Sequence, residues 1–326
     1  MKYLVTGGAG FIGSAYVRGL LNGSLGEDPV EKVTVLDAFT YAGNLNNLSN
    51  CIDDKRLEIV RGNICDSERL VDTVPGHDVI VHFAAESHVD RSIESSSVFM
   101  STNVLGTHQL LESAINSKIS TFVHVSTDEV YGSIDSGSWT ENEPLLPNSP
   151  YASSKASSDL VARSYFRTFG LDVRITRCSN NFGPFQFPEK VIPLFITNLL
   201  EGKKVPLYGD GLNVRDWLHV DDHCRGIDLV VNRGRAGEIY NIGGGTELNN
   251  NDLTRIILGK FGLSEDMIDR VPDRLGHDRR YSVDWTKIST ELGYQPKNNL
   301  ESSIDELIDW YRTNESWWLP LKKGKS

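Results

Sequence analysis

The sequence predicts an α/β protein: a doubly wound parallel sheet, followed by a smaller mixed α/β region. Three observations carry this. Short β-branched runs alternate with helical patterns through residues 1–178. A glycine-rich turn stands between the first run and the first helix. After Cys178 the alternation gives way to chain in which Pro and Gly are frequent. The elements follow in order. KYLVTG is a short buried strand, and GSAYVRGLLNG, opening at Gly13, has helical spacing. KVTVLD and LEIVRGNI are the second and third strands, and HDVIVHFAA is the fourth. TNVLGTHQLLESAINS is helical, TFVHVST is the fifth strand, SSKASSDLVARSYFRTFG is helical again, and LDVRITRC is the sixth strand. The expected division is therefore 1–178 and 179–326, with segments near 214–243 (DWLHVDDHCRGIDLVV and EIYNIGG) returning to the sheet.

Composition narrows the function. At 326 residues the chain can hold one large or two modest domains, and 39% hydrophobic with 24% charged residues is ordinary for a globular protein. A formal charge of −11 argues against nucleic acid, whose phosphates need clustered Lys and Arg. Cys51, Cys65, Cys178 and Cys224 show neither C-x-x-C pairing nor metal-type spacing with histidine, which points to reduced thiols and no metal site. The N-terminal MKYLVTGGAGFIGS has an apolar run too broken for a signal peptide, and no apolar run is long enough to span a bilayer. The expectation is a cytoplasmic protein with no membrane partner.

Gly7, Gly10 and Gly13 form G-x-x-G-x-x-G between strand and helix, where glycine lets the backbone turn tightly and approach a pyrophosphate at the helix N-terminus. Asp37 closes the second strand, where a carboxylate can accept from both ribose hydroxyls and would repel a 2′-phosphate, favouring NAD over NADP. An Asp that only caps a turn is the other reading. Tyr151 and Lys155 lie four apart at the start of a helix and so share a face. A cationic Lys beside a phenol favours the phenolate, which can take a proton from a substrate hydroxyl as hydride leaves the same carbon. Thr127, Asp128 and Glu129 stand together at the end of the fifth strand, the end at which open α/β sheets place their sites. Adjacent strand residues face opposite ways, so the chain must turn there for both acids to reach one ligand.

HFAAESHVDRS, STDEVYG, Y-x-x-x-K, SNNFGPFQFPEK, PLYGDG and DRLGHDRRY resemble, over essentially the whole chain, the dTDP-glucose 4,6-dehydratases, extended short-chain dehydrogenase/reductases with a Rossmann sheet. The resemblance implies a redox-neutral dehydration with tightly bound NAD regenerated each turnover. Hydride leaves sugar C4, Glu129 removes the C5 proton, Asp128 protonates the departing C6 hydroxyl, and hydride returns to C6. Thr127 and Tyr151 hold the 4-hydroxyl. The cofactor set it implies adds Phe11, Ile12, Thr40, Asn63, Ile64, Ala84, Ala85, Ser87, Thr102 and Asn181 to the glycines, Asp37, Tyr151 and Lys155. The substrate set it implies is Ser87, Thr127, Asn180, Glu189, Lys190, Pro206, Tyr208, Arg215, Asn250, Arg274, His277 and Tyr281, with Arg215 and Arg274 as a diphosphate clamp. His277 is expected to orient a neighbour or cap a loop. In this family the helical segments 100–117 and 151–169 pair across a two-fold axis, implying a homodimer; faces covered within one chain are the alternative. The sequence departs from the family's pattern at Asn63, where Asp is common, and at Phe182 and Phe185, where Tyr is common. A UDP-hexose 4-epimerase and a non-catalytic NAD-binding sensor are the rival readings. The Asp128–Glu129 pair speaks against the first, and the intact Thr127, Tyr151 and Lys155 set against the second.

Overall fold

A computed structural model describes residues 1–323. Seven strands form one sheet in the order β10-β6-β5-β4-β1-β2-β3, and every neighbouring pair is parallel. They are β1 (Lys2–Thr6), β2 (Lys32–Asp37), β3 (Leu57–Arg61), β4 (Val79–His82), β5 (Thr121–Thr127), β6 (Val173–Cys178) and β10 (Ile239–Ile242). Between the last two in sequence run β7 (Asn180–Phe182), β8 (Val205–Tyr208) and β9 (Val214–His219); β11 (Glu247–Asn249) and β12 (Ile268–Val271) follow β10. A three-stranded sheet β11-β9-β7 and the pair β12-β8 stand apart from the large sheet. Of the segment 214–243, then, EIYNI lies in the large sheet beside β6, whereas the strand at DWLH does not.

The helices are α1 (Phe11–Asn22), α2 (Ser67–Thr73), α3 (Val89–Glu94), α4 (Ser97–Phe99), α5 (Thr107–Asn116), α6 (Pro150–Phe169), α7 (Val191–Leu200), α8 (Val220–Arg233), α9 (Asn250–Lys260), α10 (Thr286–Leu292), α11 (Leu300–Thr313) and α12 (Glu315–Lys323). A π-helical stretch, Met100–Gly106, joins α4 to α5. One face of the large sheet buries Tyr16, Val17 and Leu20 of α1 with Ile227, Val230 and Val231 of α8. The other buries Leu70, Leu110, Leu111, Ala162 and Tyr165 from α2, α5 and α6. Both faces are covered, which is why the strands read as continuous apolar runs instead of alternating ones. A separate core forms around Phe195, Trp217, Ile257, Ile304, Tyr311 and Trp318, and it sets the second half of the chain against the strand ends.

Two caps place the site. Thr127 ends β5 in extended conformation, and its Oγ1 accepts from Glu129 N at 3.3 Å, starting a short 3-10 turn, Asp128–Tyr131. The turn required to bring both acids to one side is thus present. Ser149 caps α6, accepting from Ala152 N, with Pro150 at the first helical position.

Candidate active site

The cleft opens at the carboxyl ends of β1, β4, β5 and β6. Its wall brings together Gly10, Phe11, Ile12, Gly13, Ala85, Ser87, Thr127, Asp128, Glu129, Tyr151, Lys155, Asn180, Asn181, Glu189 and Lys190. Sequence reasoning missed Tyr41, Asn47, Phe187, Trp317 and Leu321, which also line it.

At the glycine turn, Gly7 sits at φ +69°, and a side chain there would meet Ala84 N at 2.7 Å; one on Gly13 would meet Gly7 O at 2.3 Å. Asp37 is buried and accepts from Ala9 N (2.9 Å) and Phe39 N (2.8 Å), so it holds this turn whatever else it binds. Burial raises its pKa, while the two amides oppose that. Asn47 extends the brace by donating to Ala9 O, and Trp317 of α12 donates to Asn47 Oδ1 at 2.9 Å. Gly7, Asp37, Thr40, Asn63, Ile64, Ala84 and Thr102 do not line the cleft. They lie around the ends of β1 to β4 and at the π-helical stretch, with Thr40 and Asn63 exposed and Ile64 buried. Asn63 Oδ1 accepts from Cys65 N, and Ala84 N lies 3.4 Å from Thr6 Oγ1.

Thr127, Asp128, Tyr151 and Lys155 are buried, and Glu129 is half-buried. Burial first, then the charge of Glu129, pushes the pKa of Asp128 well up, and its Oδ2 has no protein partner; Thr127 Oγ1 donates to Oδ1 at 3.2 Å. Burial also raises Glu129, but Arg274, Arg215 and Lys190 pull it back down. Both carboxyls are thus held above the ordinary carboxylate range, Asp128 well above it and Glu129 restrained by the three cations, an ordering that suits Asp128 as the proton donor and Glu129 as the acceptor. The tyrosine differs from expectation. Lys155 Nζ donates to Val125 O at 2.8 Å, and burial with the Glu129 charge drives the Tyr151 phenol well above its ordinary value. In the chain alone, burial and the Glu129 charge outweigh any pull of the lysine on the phenol, because the ammonium is directed into the end of β5.

The remaining predicted residues form the far rim. Lys190 donates to Ser87 O at 3.1 Å; Glu189 pairs with Arg91 at 3.2 Å, and Arg91 lies 3.7 Å over the ring of Tyr41. Arg215 stacks 4.3 Å over Tyr281 and donates to Val214 O and Asp278 O, so much of its donor fork is already engaged. Arg274 lies 3.7 Å from Asp90, with Nε buried and unmatched. His277 binds Asp273 at 2.6 Å, with Tyr208 edge-on to it, so it orients its own loop. Asn250 opens α9, its amide donating to Asn213 O, and Pro206 is half-buried in β8. Arg215, Arg274, Pro206, Tyr208, Asn250, His277 and Tyr281 do not line the cleft itself, although both arginines act on Glu129. Phe182 is fully buried against His219, whereas Phe185 lines the cleft under Arg18 at 4.5 Å. The four cysteines are free thiols. Among the described residues no helix is long and apolar enough to cross a membrane.

A seven-stranded parallel sheet with a glycine turn at β1, a Tyr–Lys helix after β5 and acids at the strand ends defines a short-chain dehydrogenase type of site. The chain belongs to the family described as GDP-mannose 4,6 dehydratase, whose model matches residues 4–307. Within it, the chain is 60% identical to a dTDP-glucose 4,6-dehydratase of Streptomyces antibioticus over 99% of this chain and 96% of that protein. The dTDP-glucose 4,6-dehydratase of Escherichia coli is 45% identical, covering 99% and 96%. The solved structure of DesIV, a dTDP-glucose 4,6-dehydratase from Streptomyces venezuelae with NAD bound, superposes with a TM-score of 0.97 at 60% identity, over 98% of this chain and all of that one. A UDP-glucuronic acid 4-epimerase from Bacillus cereus shares the fold at a TM-score of 0.90 but only 29% identity, over 96% of this chain and all of that one.

Proposed function

We propose that the chain is an NAD-dependent hydro-lyase that converts dTDP-glucose to dTDP-4-keto-6-deoxy-glucose. The observation that carries this is the turn that sets Thr127 and the two adjacent carboxyls of Asp128 and Glu129 in the wall of one cleft with Tyr151. The residues present fit NAD: Gly10 and Gly13 line the cleft at the start of α1, the turn there is packed too tightly for a Cβ on Gly7 or Gly13, and Asp37 fixes it. When bound, NAD supplies the reversible hydride acceptor that oxidation at C4 and reduction at C6 require. Lys155, together with the positive charge that NAD would bring, favours the Tyr151 phenolate, and in that form Tyr151, with Thr127 beside it, receives the proton of the C4 hydroxyl. A keto group at C4 acidifies the C5 proton, which Glu129 accepts. Asp128 gives its proton to the C6 hydroxyl as water leaves. The far-rim Arg274, Arg215 and Lys190 suit the diphosphate, and Arg274 Nε is unmatched until an acceptor arrives.

With this reading go a cofactor half of residues 1–178, to which β10 and α8 attach, a sugar-nucleotide half of 179–326, and a cytoplasmic location. A homodimer goes with it too: Leu105, Leu160 and Phe169 are each 59% exposed on the segments assigned to the two-fold contact. Light scattering after size exclusion gives the mass, and a monomer at micromolar concentration removes the dimer. The test of function is incubation with dTDP-glucose and with other nucleoside diphosphate glucoses. Alkali-induced absorbance of a 4-keto sugar is expected with dTDP-glucose. Its absence, or formation of a 4-epimer, would overturn the reading.

A further inference from the structure

Behind the cleft lies a buried polar network that the reaction does not touch. Asp159 follows Lys155 by one turn of α6 and shares its face. Its Oδ2 accepts from Arg177 Nε of β6 at 2.9 Å, and its Oδ1 lies 3.2 Å from His124 Nε2 of β5. Arg177 Nη1 donates to the hydroxyl of Tyr131 at 2.7 Å, and that hydroxyl donates to Asn241 Oδ1 of β10 at 2.9 Å. Asp159, Arg177, Tyr131, His124 and Asn241 are at most 3% exposed, and none lines the cleft. Tyr131 is the last residue of the 3-10 turn that starts at Asp128. One chain of contacts thus ties α6, which carries Tyr151 and Lys155, to the turn that carries both acids, through Arg177 of β6.

We propose that Asp159 is a positioning residue: through Arg177 and Tyr131 it fixes the Asp128–Glu129 turn against α6, and its carboxylate supplies compensating charge for Lys155. A buried ion pair is a costly way to gain stability, since apolar residues of similar volume often serve as well. Its worth here is geometric. The pair joins two elements whose separation must hold for acid, base and phenol to reach one sugar, and a 1 Å misplacement can cost about 100-fold in rate. The groups around Lys155 are Tyr151 and Asp159 on its own helix, Cys178 on β6, and His82 and His124 on β4 and β5. Burial keeps both histidines and the Cys178 thiol neutral. Burial raises the Asp159 carboxyl too, but Arg177 and His124 hold it down at about 2, so it alone among these groups carries negative charge.

The inference rests on the dehydratase reading, so wild-type 4-keto sugar formation comes first; its failure counts against that reading and not against this one. In Asp159→Asn, kcat is expected to fall by about 10- to 100-fold with KM little changed. The alkaline limb of its pH profile should move to lower pH, because Lys155 without its counter-charge loses its proton sooner. Tyr131→Phe leaves the Asp159–Arg177 pair in place and cuts the links of the turn to Arg177 and Asn241, so its kcat should fall with the limb unmoved. Asp159→Glu should bring the limb back towards wild type. Asp159→Asn with wild-type kcat per folded molecule and an unmoved limb overturns the proposal, even if its melting temperature drops. If Asp159→Asn does not fold, Tyr131→Phe decides: wild-type kcat there overturns the positional link.

Discussion

Replacing Gly13 by alanine tests whether the turn between β1 and α1 is built as tightly as the cofactor site requires. The new Cβ would lie 2.3 Å from Gly7 O and 3.0 Å from Gly7 C and Gly8 Cα, where ordinary contact begins at 3.4 Å. Roughly 1 Å must be found, and every obstructing atom is backbone. Gly7 cannot retreat: its amide is bound to Leu36 O at 2.9 Å, and the Phe83–Ala84 backbone fills the space beside it. The start of α1 must therefore move, although Ala15, Tyr16 and Val17 pack it against the sheet. Overpacking of this kind costs about 1–3 kcal/mol. At about 2–4 °C per kcal/mol for a large domain, melting should fall by roughly 2–12 °C. Gly10→Ala meets only Gly7 O, at 3.2 Å, and should be much milder. Gly259→Ala, in α9 with nothing within 4 Å, should stabilise by up to about 0.5–1 kcal/mol. Thermal unfolding by circular dichroism, with NAD assayed in the supernatant of denatured protein, reads both effects. Gly13→Ala with wild-type melting and full NAD content, or Gly10→Ala as damaging as Gly13→Ala, would refute the reasoning.

The other predictions concern the acids and the phenol. Tyr151→Phe should lower turnover by about 10²–10⁴-fold in a folded protein; near-normal turnover would show that another group accepts the C4 hydroxyl proton. In heavy water the wild-type product should carry deuterium at C5, seen by NMR, and Glu129→Gln should lose both turnover and that label. A labelled product formed at the wild-type rate would place the base elsewhere. Asp128→Asn should slow elimination yet raise the melting temperature at neutral pH. Burial raises the folded-state pKa of Asp128, so its penalty is absent below the unfolded value and grows as pH rises towards the folded one. The melting-temperature gain should therefore shrink as the medium approaches the ordinary carboxylate range, and a gain independent of pH would contradict this origin.

Much of the site could be read from local pattern. Gly7, Gly10 and Gly13 announce a turn by spacing alone, and Tyr151 and Lys155 share a helix face by spacing alone. The turn at Asp128 follows from the alternation rule once both acids must reach one ligand. What escaped the sequence depends on distant partners. Trp317 looks like a core residue of the last helix, and nothing near it signals Asn47. Lys155 has the right spacing to support Tyr151, but its hydrogen bond goes to a carbonyl three residues before Asp128, a direction that only the packed sheet sets. Glu189 reads as a ligand from its motif, while Arg91, which pairs with it, lies 98 residues earlier. Strand β9 has the apolar character of a sheet strand and joins a sheet, though a different one, because periodicity reports burial and not which partner provides it.

The position of β10 at the end of the large sheet has a consequence for how the molecule comes into being. β6 is made some 60 residues before its outer neighbour, which at about 5–20 residues per second leaves its edge bare for roughly 3–12 s on the ribosome. During that interval the strand offers unpaired amides and carbonyls to any passing chain. The cleft closes later still. The contact of Trp317 with Asn47 spans 270 residues of sequence, so this wall of the cleft forms only once α12 has left the exit tunnel. Cofactor capture must in this sense wait for α12, and a chain cut before Glu315 should reach a folded sheet without a lasting hold on its nucleotide.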